Sequence, residues 1–233
     1  MSALRRSARA LAAVVALTLW FPAPSARLSA GEVADALVVL EAATPFAAGQ
    51  DWSAAPLRFV LLQDGQVFTG GSQALLAGRL EKAEVKTLEA QLDLVRKLPG
   101  LASVVGFGGD QPSFRLRVIK GKPLDLRITG DPDKAGAAFR PLADLLRQLL
   151  RFDHPSLRPF TPPQLQLRAH EATRPGGCRL WTLVPTPTEA AAGATVASSA
   201  ASSWLPGIAT TSVCVGDKRY ELQLRPLVPG ERP

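Results

Sequence analysis

The segment LRFVLLQDGQVFT, residues 57–69, carries the first decisive pattern in this 233-residue chain. Residues 57–62 are apolar except for Arg58, which predicts a strand over 57–63 covered on both faces and therefore central in its sheet. Asp64-Gly65 then predicts a type I′ hairpin turn, because both central residues of that turn need positive φ, and 66–69 forms the returning strand. Working outward, a loop leads to an amphipathic helix over 81–98, with Val85, Leu88, Leu92 and Val95 on one stripe and Pro99-Gly100 as its stop.

The unit recurs. Phe114, Leu116 and Val118 alternate with Arg115 and Arg117, and Leu124, Leu126 and Ile128 alternate with Asp125 and Arg127, around a turn at Gly121. This predicts a second hairpin with one buried face and one charged, solvated face, nearer the sheet edge than the first. A second helix follows, with Phe139, Leu142, Leu146 and Leu149 in register. Pro141 requires a break or a late start, since an interior proline costs about 3 kcal/mol. Upstream of the first hairpin, 33–39 is an apolar run that fits a helix or a buried strand, and 44–56 reads as a loop.

The fold class implied is α+β: antiparallel hairpins with helices packed on one face, plus a smaller β-rich C-terminal portion, with one continuous sheet as the alternative. The expected organisation is a signal peptide at 1–30, the repeated hairpin-helix domain at 31–155, and a proline-rich joint with the C-terminal portion at 156–233. In that last portion, 164–168 alternates and 178–184 reads as a strand. Residues 188–203 form a small-residue helix or loop, and 212–225 a final hairpin turning at Gly216-Asp217.

Compartment follows from the leader. Arg5, Arg6 and Arg9 make a positive start, residues 10–20 an apolar core too short to span a bilayer, and Ala23, Ser25, Ala26 and Ala30 offer cleavage positions. The chain is therefore expected to be secreted or periplasmic, in a bacterium, with no stable membrane span after the leader is removed. Arg5-Arg6 leaves the Sec and twin-arginine routes both open. The formal net charge of +7 falls to +4 without Arg5, Arg6 and Arg9, 24 basic against 20 acidic residues, and only one Tyr is present. Nucleic acid is not an expected partner, for its ligands want clustered basic faces with stacking aromatics.

Chemistry is sparse. His154 and His170 have no neighbour at metal spacing and read as surface histidines; no metal or cofactor is expected. Gly106, Gly108 and Gly109 precede a strand rather than a helix, so they form a loop rather than a phosphate cradle. Asp110, Asp125, Asp131 and Asp133 lack the register of a calcium loop and read as turn and cap residues. Trp20 belongs to the leader, Trp181 to an apolar strand, and Trp52 and Trp204 to half-buried packing. Cys178 and Cys214 are an even pair in an exported chain, both in expected strands, which favours a disulfide over two buried thiols.

These elements resemble a loose group of uncharacterised exported bacterial proteins with a strand and Asp-Gly turn, a helix, a second hairpin and helix, a proline-rich joint, and an Arg-Pro-Leu-Leu-Pro-x-Glu-like tail. Here the tail is Arg225-Pro226-Leu227-Val228-Pro229-Gly230-Glu231. Helix one departs from the pattern in lacking a Ser or Thr cap before Glu81. The resemblance implies fold and export and no activity. No catalytic residues are assigned, so the expectation is an exported non-catalytic binding or structural module of the cell envelope, its partner unknown. The alternative is a hydrolase with dispersed residues, which a deep pocket placing His154 or His170 within hydrogen-bond reach of a Ser or carboxylate would favour.

Overall fold

The structure, a computed structural model, describes residues 33–43, 57–70, 75–108, 113–172, 177–182, 184–190, 194–201 and 211–232. The leader at 1–30, the loop at 44–56, and Trp20, Trp52, Trp204, Gly109 and Asp110 lie outside these residues. The chain is mixed α and β. Its larger sheet has eight strands in the order β5-β7-β6-β1-β2-β3-β4-β8. These are β1 (Ala36–Ala43), β2 (Leu57–Leu62), β3 (Gln66–Gly70), β4 (Leu75–Arg79), β5 (Val104–Gly106), β6 (Ser113–Val118), β7 (Leu124–Thr129) and β8 (Arg158–Phe160). Every pairing in it is antiparallel except β5 with β7.

The apolar run expected as helix or strand is β1, at the middle of this sheet between β2 and β6. Both of its faces are covered. Val38 and Leu40, with Phe59 and Leu61 of β2 and Leu116 of β6, meet the helices α1 (Lys82–Arg96) and α2 (Arg140–Leu150) in one core. Val39, Val60 and Phe68 form a second cluster with Val228 of the C-terminal tail. Burying each such aliphatic side chain contributes about 1.5–3 kcal/mol, which explains why residues 57–62 are apolar at nearly every position.

The hairpin at 57–69 forms, with a different turn. The Gly65 N–H donates to the Leu62 carbonyl, so Gln63 and Asp64 are the central residues and Gly65 follows with φ +87°. This is a three-residue loop in which an αL glycine follows the turn, rather than the two-residue type I′ expected. Two local bonds favour it: Asp64 Oδ1 accepts the Gln66 N–H at 2.9 Å, and the Leu80 N–H donates to the Gly65 carbonyl.

Helix α1 begins without a Ser or Thr, yet its first turn is capped from within: Glu84 Oε2 accepts the Glu81 N–H at 2.7 Å. Leu88, Leu92 and Val95 are buried. Pro141 falls in the first turn of α2, where the missing N–H costs no hydrogen bond. Residues 132–134 form a separate 3₁₀ turn capped by Asp131, whose Oδ1 accepts the Asp133 N–H.

Several short strands lie where loops were expected: β4 after the first hairpin, β5 in the Gly-rich stretch with Gly106, and β8 in the proline-rich joint. Each owes its existence to a neighbour's unpaired backbone rather than to its own pattern. Pro159 is tolerated because β8 is an edge strand.

The second sheet has five strands in the order β10-β12-β13-β9-β11. They are β9 (Gln164–Glu171), β10 (Arg179–Leu180), β11 (Ala194–Ala197), β12 (Thr211–Val215) and β13 (Lys218–Pro226). Among the described residues of 178–184, Arg179 and Leu180 form a two-residue strand. The stretch at 188–203, expected as one helix or loop, instead contributes to the one-turn helix α3 (Pro187–Ala190), then β11, then α4 (Ser198–Ala201). Thr195 and Val196 give β11 the β-branched character that lets it pair with β9. Trp181 is buried against Leu167, Val213 and Tyr220, as expected for a core residue, and its indole N–H donates to the Pro185 carbonyl at 3.0 Å. Cys178 and Cys214 stand at disulfide distance, their Cα atoms 5.6 Å apart.

Candidate binding cleft and buried ion cluster

Two arrangements of polar groups stand out, and neither was visible as a motif. The first is a cleft of about 280 Å³ between α1, α2 and the segment that follows α2. The amphipathic stripes of both helices supply part of its floor: Leu88 from α1 and Leu149 from α2, joined by Leu80, Phe59 and Phe152. Phe59 and Phe152 meet edge to face at 5.0 Å, and Phe152 stacks on the His154 ring. The rim is polar, with Glu84, Thr87, Gln148, Asp153 and His154.

His154, expected on the surface without a partner, is half-buried and held at both ring nitrogens. Its Nε2 lies 3.0 Å from Glu84 Oε1, and its Nδ1 lies 2.7 Å from Ser156 Oγ. The Ser156 backbone N–H also points to Nδ1, at 3.2 Å, which makes Nδ1 an acceptor and places the ring proton on Nε2 toward Glu84. Glu84 is a stronger acid than usual, because it accepts the Glu81 N–H and, secondarily, bonds His154. Glu84 and His154 are 70 residues apart.

A carboxylate, an imidazole and a hydroxyl in this order have the connectivity of a hydrolytic triad. The hydroxyl oxygen, however, is also held by the sheet. Ser156 Oγ accepts the Arg79 N–H at 2.9 Å and lies 3.0 Å from the Arg79 carbonyl, as an extra partner for the end of β4. It lies so close to that strand that a Cβ on Gly78 would stand 2.5 Å from it. Ser156 is not among the residues that line the cleft. The geometry therefore braces the turn after α2 against β4, and leaves the cleft with an imidazole and carboxylates but no hydroxyl nucleophile from Ser156.

The second arrangement is a buried ion cluster on the opposite face of β1. Arg115 and Arg117 were expected on a solvated face, but Arg117 is buried, and its guanidinium lies 3.1 Å from Glu41 in β1, itself 1% exposed. The C-terminal tail covers the same face of the sheet. Its Val228 packs against Val39 and Val60, the Ala34 N–H donates to the Gly230 carbonyl, and Val33 bridges to Glu231. Glu231 comes within 2.6 Å of Arg225, whose Nε donates to Gln166 Oε1 at 2.9 Å. Burial pushes Glu41 above the usual carboxylate range against the pull of Arg117, and it pushes Glu231 up to about 7 against the pull of Arg225. Sequence offered one signal for this cluster, a lone Glu inside the apolar run of β1. The partners are 76 residues away for Arg117 and, for Gln166 with Arg225, 59 apart.

The other singled-out residues hold structural posts. His170 is largely exposed and faces Glu221 across β9 and β13 at 3.2 Å. Asp125 takes a two-point contact from Arg115, which holds its carboxyl below the ordinary range, and Asp133 pairs with Arg147. Among the described residues, no group of three or more His, Cys, Asp or Glu is placed to hold a metal ion, and no helix is long and apolar enough to cross a membrane. Compared with protein-family models, curated proteins and solved structures, the chain has no significant match to any of them.

Proposed function

We propose that this chain is an exported, non-catalytic module of the bacterial cell envelope that binds a small ligand in the cleft between α1 and α2. The leader composition and the paired cysteines support export; the apolar floor and polar rim support binding, the arrangement usual for small-molecule sites. The observation that carries the non-catalytic reading is that Ser156 lies outside the cleft lining, its Oγ accepting the Arg79 N–H at the end of β4. A hydrolase is the second reading, favoured by the 2.7 Å approach of His154 to that same hydroxyl.

A fluorophosphonate probe, with ester hydrolysis assayed in parallel, separates the two readings. The expected result for the exported protein is no covalent labelling, and turnover equal to that of Ser156→Ala. Labelling of the wild type that disappears in Ser156→Ala would establish the hydrolase instead.

A further inference from the structure

We propose that the cleft takes a small primary ammonium carrying a short apolar chain, its head between Glu84 and Asp153 and its chain against Leu88, Leu149 and Phe152; this rests on the binding reading above. Charge complementarity carries it. Two carboxylates line the cleft and no Lys or Arg does, in a chain whose overall charge is positive. Local charge here runs against the global excess. Asp153 is exposed and has no hydrogen bond or ion pair among the described residues. Each oxygen of Glu84 holds a single hydrogen bond, from Glu81 and His154 respectively, and a carboxylate has about four acceptor positions. An ammonium supplies three donors and no acceptor, which matches such a rim; a carboxylate ligand would meet repulsion from it.

The cleft's size and surroundings favour a free small molecule over a side chain of a protein partner. At about 280 Å³ it lies just below the usual range for drug-sized ligands. Among the described residues, the exposed large apolar side chains Leu94, Val104, Ile119, Leu180 and Val184 do not line it, whereas a protein interface buries an apolar core.

Titration of the full mature chain with n-butylammonium, 1-butanol and butyrate, followed by amide chemical shifts at low ionic strength, tests this. Butylammonium is expected to bind with shifts at Thr87, Gln148 and Asp153, butanol more weakly, and butyrate not at all. Asp153→Asn is expected to weaken butylammonium about two- to fivefold, the range for one exposed charge pair, and to leave butanol unchanged. Equal binding of butanol or butyrate at those positions would overturn the ammonium assignment while the cleft remained a binding site. No response there to any of the three would overturn both. Tighter binding of N-acetyl-lysine methylamide than of butylammonium would move the occupant to a partner's side chain and overturn the small-molecule assignment.

Discussion

Glu231 and Arg225 show how much a single pair of residues carries in this chain. Both side chains are almost fully buried, and burial outweighs the attraction of Arg225 enough to raise the Glu231 carboxyl to about 7. A carboxyl whose folded pKa lies above its ordinary 4.5 binds a proton more readily folded than unfolded. Its stabilising contribution is therefore full below pH 4.5 and is lost as pH rises through about 7. Relative to Glu231→Gln, which stays neutral, the wild type is expected to lose on the order of 3 kcal/mol across that window, read from urea midpoints at several pH values. A difference that grows in favour of the wild type as pH rises would mean that Arg225 dominates instead. The charged groups that set this titration are Arg225 from β13 and Glu41 from β1, with the Val228 N–H of the tail. Gly65 is the second residue on which local structure depends. At φ +87°, a Cβ there would stand 2.7 Å from the Leu80 carbonyl oxygen, so Gly65→Val is expected to cost at least 1–3 kcal/mol in unfolding free energy. An unchanged denaturation midpoint would show that the turn yields freely.

At the scale of elements, Ser156 ties β4 to the turn after α2: its Oγ accepts the Arg79 N–H and approaches the Arg79 carbonyl and His154 Nδ1, which share its one proton. Ser156→Ala is expected to lower stability by about 1–3 kcal/mol, the cost of leaving such groups unpaired, as measured by chemical denaturation. Little or no loss would remove the structural role assigned to the hydroxyl. The elements themselves were legible where pattern was strong. The apolar run of β2, the alternation of β6 and β7, and the stripes of α1 and α2 each register in the residues that build them. The strands β4, β5 and β8 were not legible, because edge pairing depends on what lies alongside and β8 contains a proline. The cleft was half legible. His154 drew attention for its chemistry, whereas the apolar stripe of α1 says nothing about Glu84, and only the packing of α1 beside α2 brings it to the imidazole. Arg117 was misplaced for a related reason. Alternation shows which side chains share a face, but not that a tail more than a hundred residues later will cover it.

Across the whole molecule, two sheets are linked by the C-terminal tail, which leaves β13 and lays Val228 and Glu231 on the larger sheet. The smaller sheet has a modest core and is pinned by Cys178 and Cys214, 36 residues apart. Closing a loop of that length is worth on the order of 3–4 kcal/mol on a chain-entropy estimate, a large part of a typical domain's stability. Reduction is therefore expected to lower the unfolding midpoint, with the smaller sheet losing amide protection first. A disulfide of this kind belongs to an oxidising compartment, and so the fold and the proposed destination depend on each other. The most direct test is the intact mass, under non-reducing denaturing conditions with a thiol-reactive label, of the protein recovered from the periplasm or medium of a bacterium expressing the full chain. The expected species begins between residues 26 and 31 and carries no label at Cys178 or Cys214. Full-length protein confined to the cytoplasm, labelled at both cysteines, would contradict an exported, disulfide-closed module.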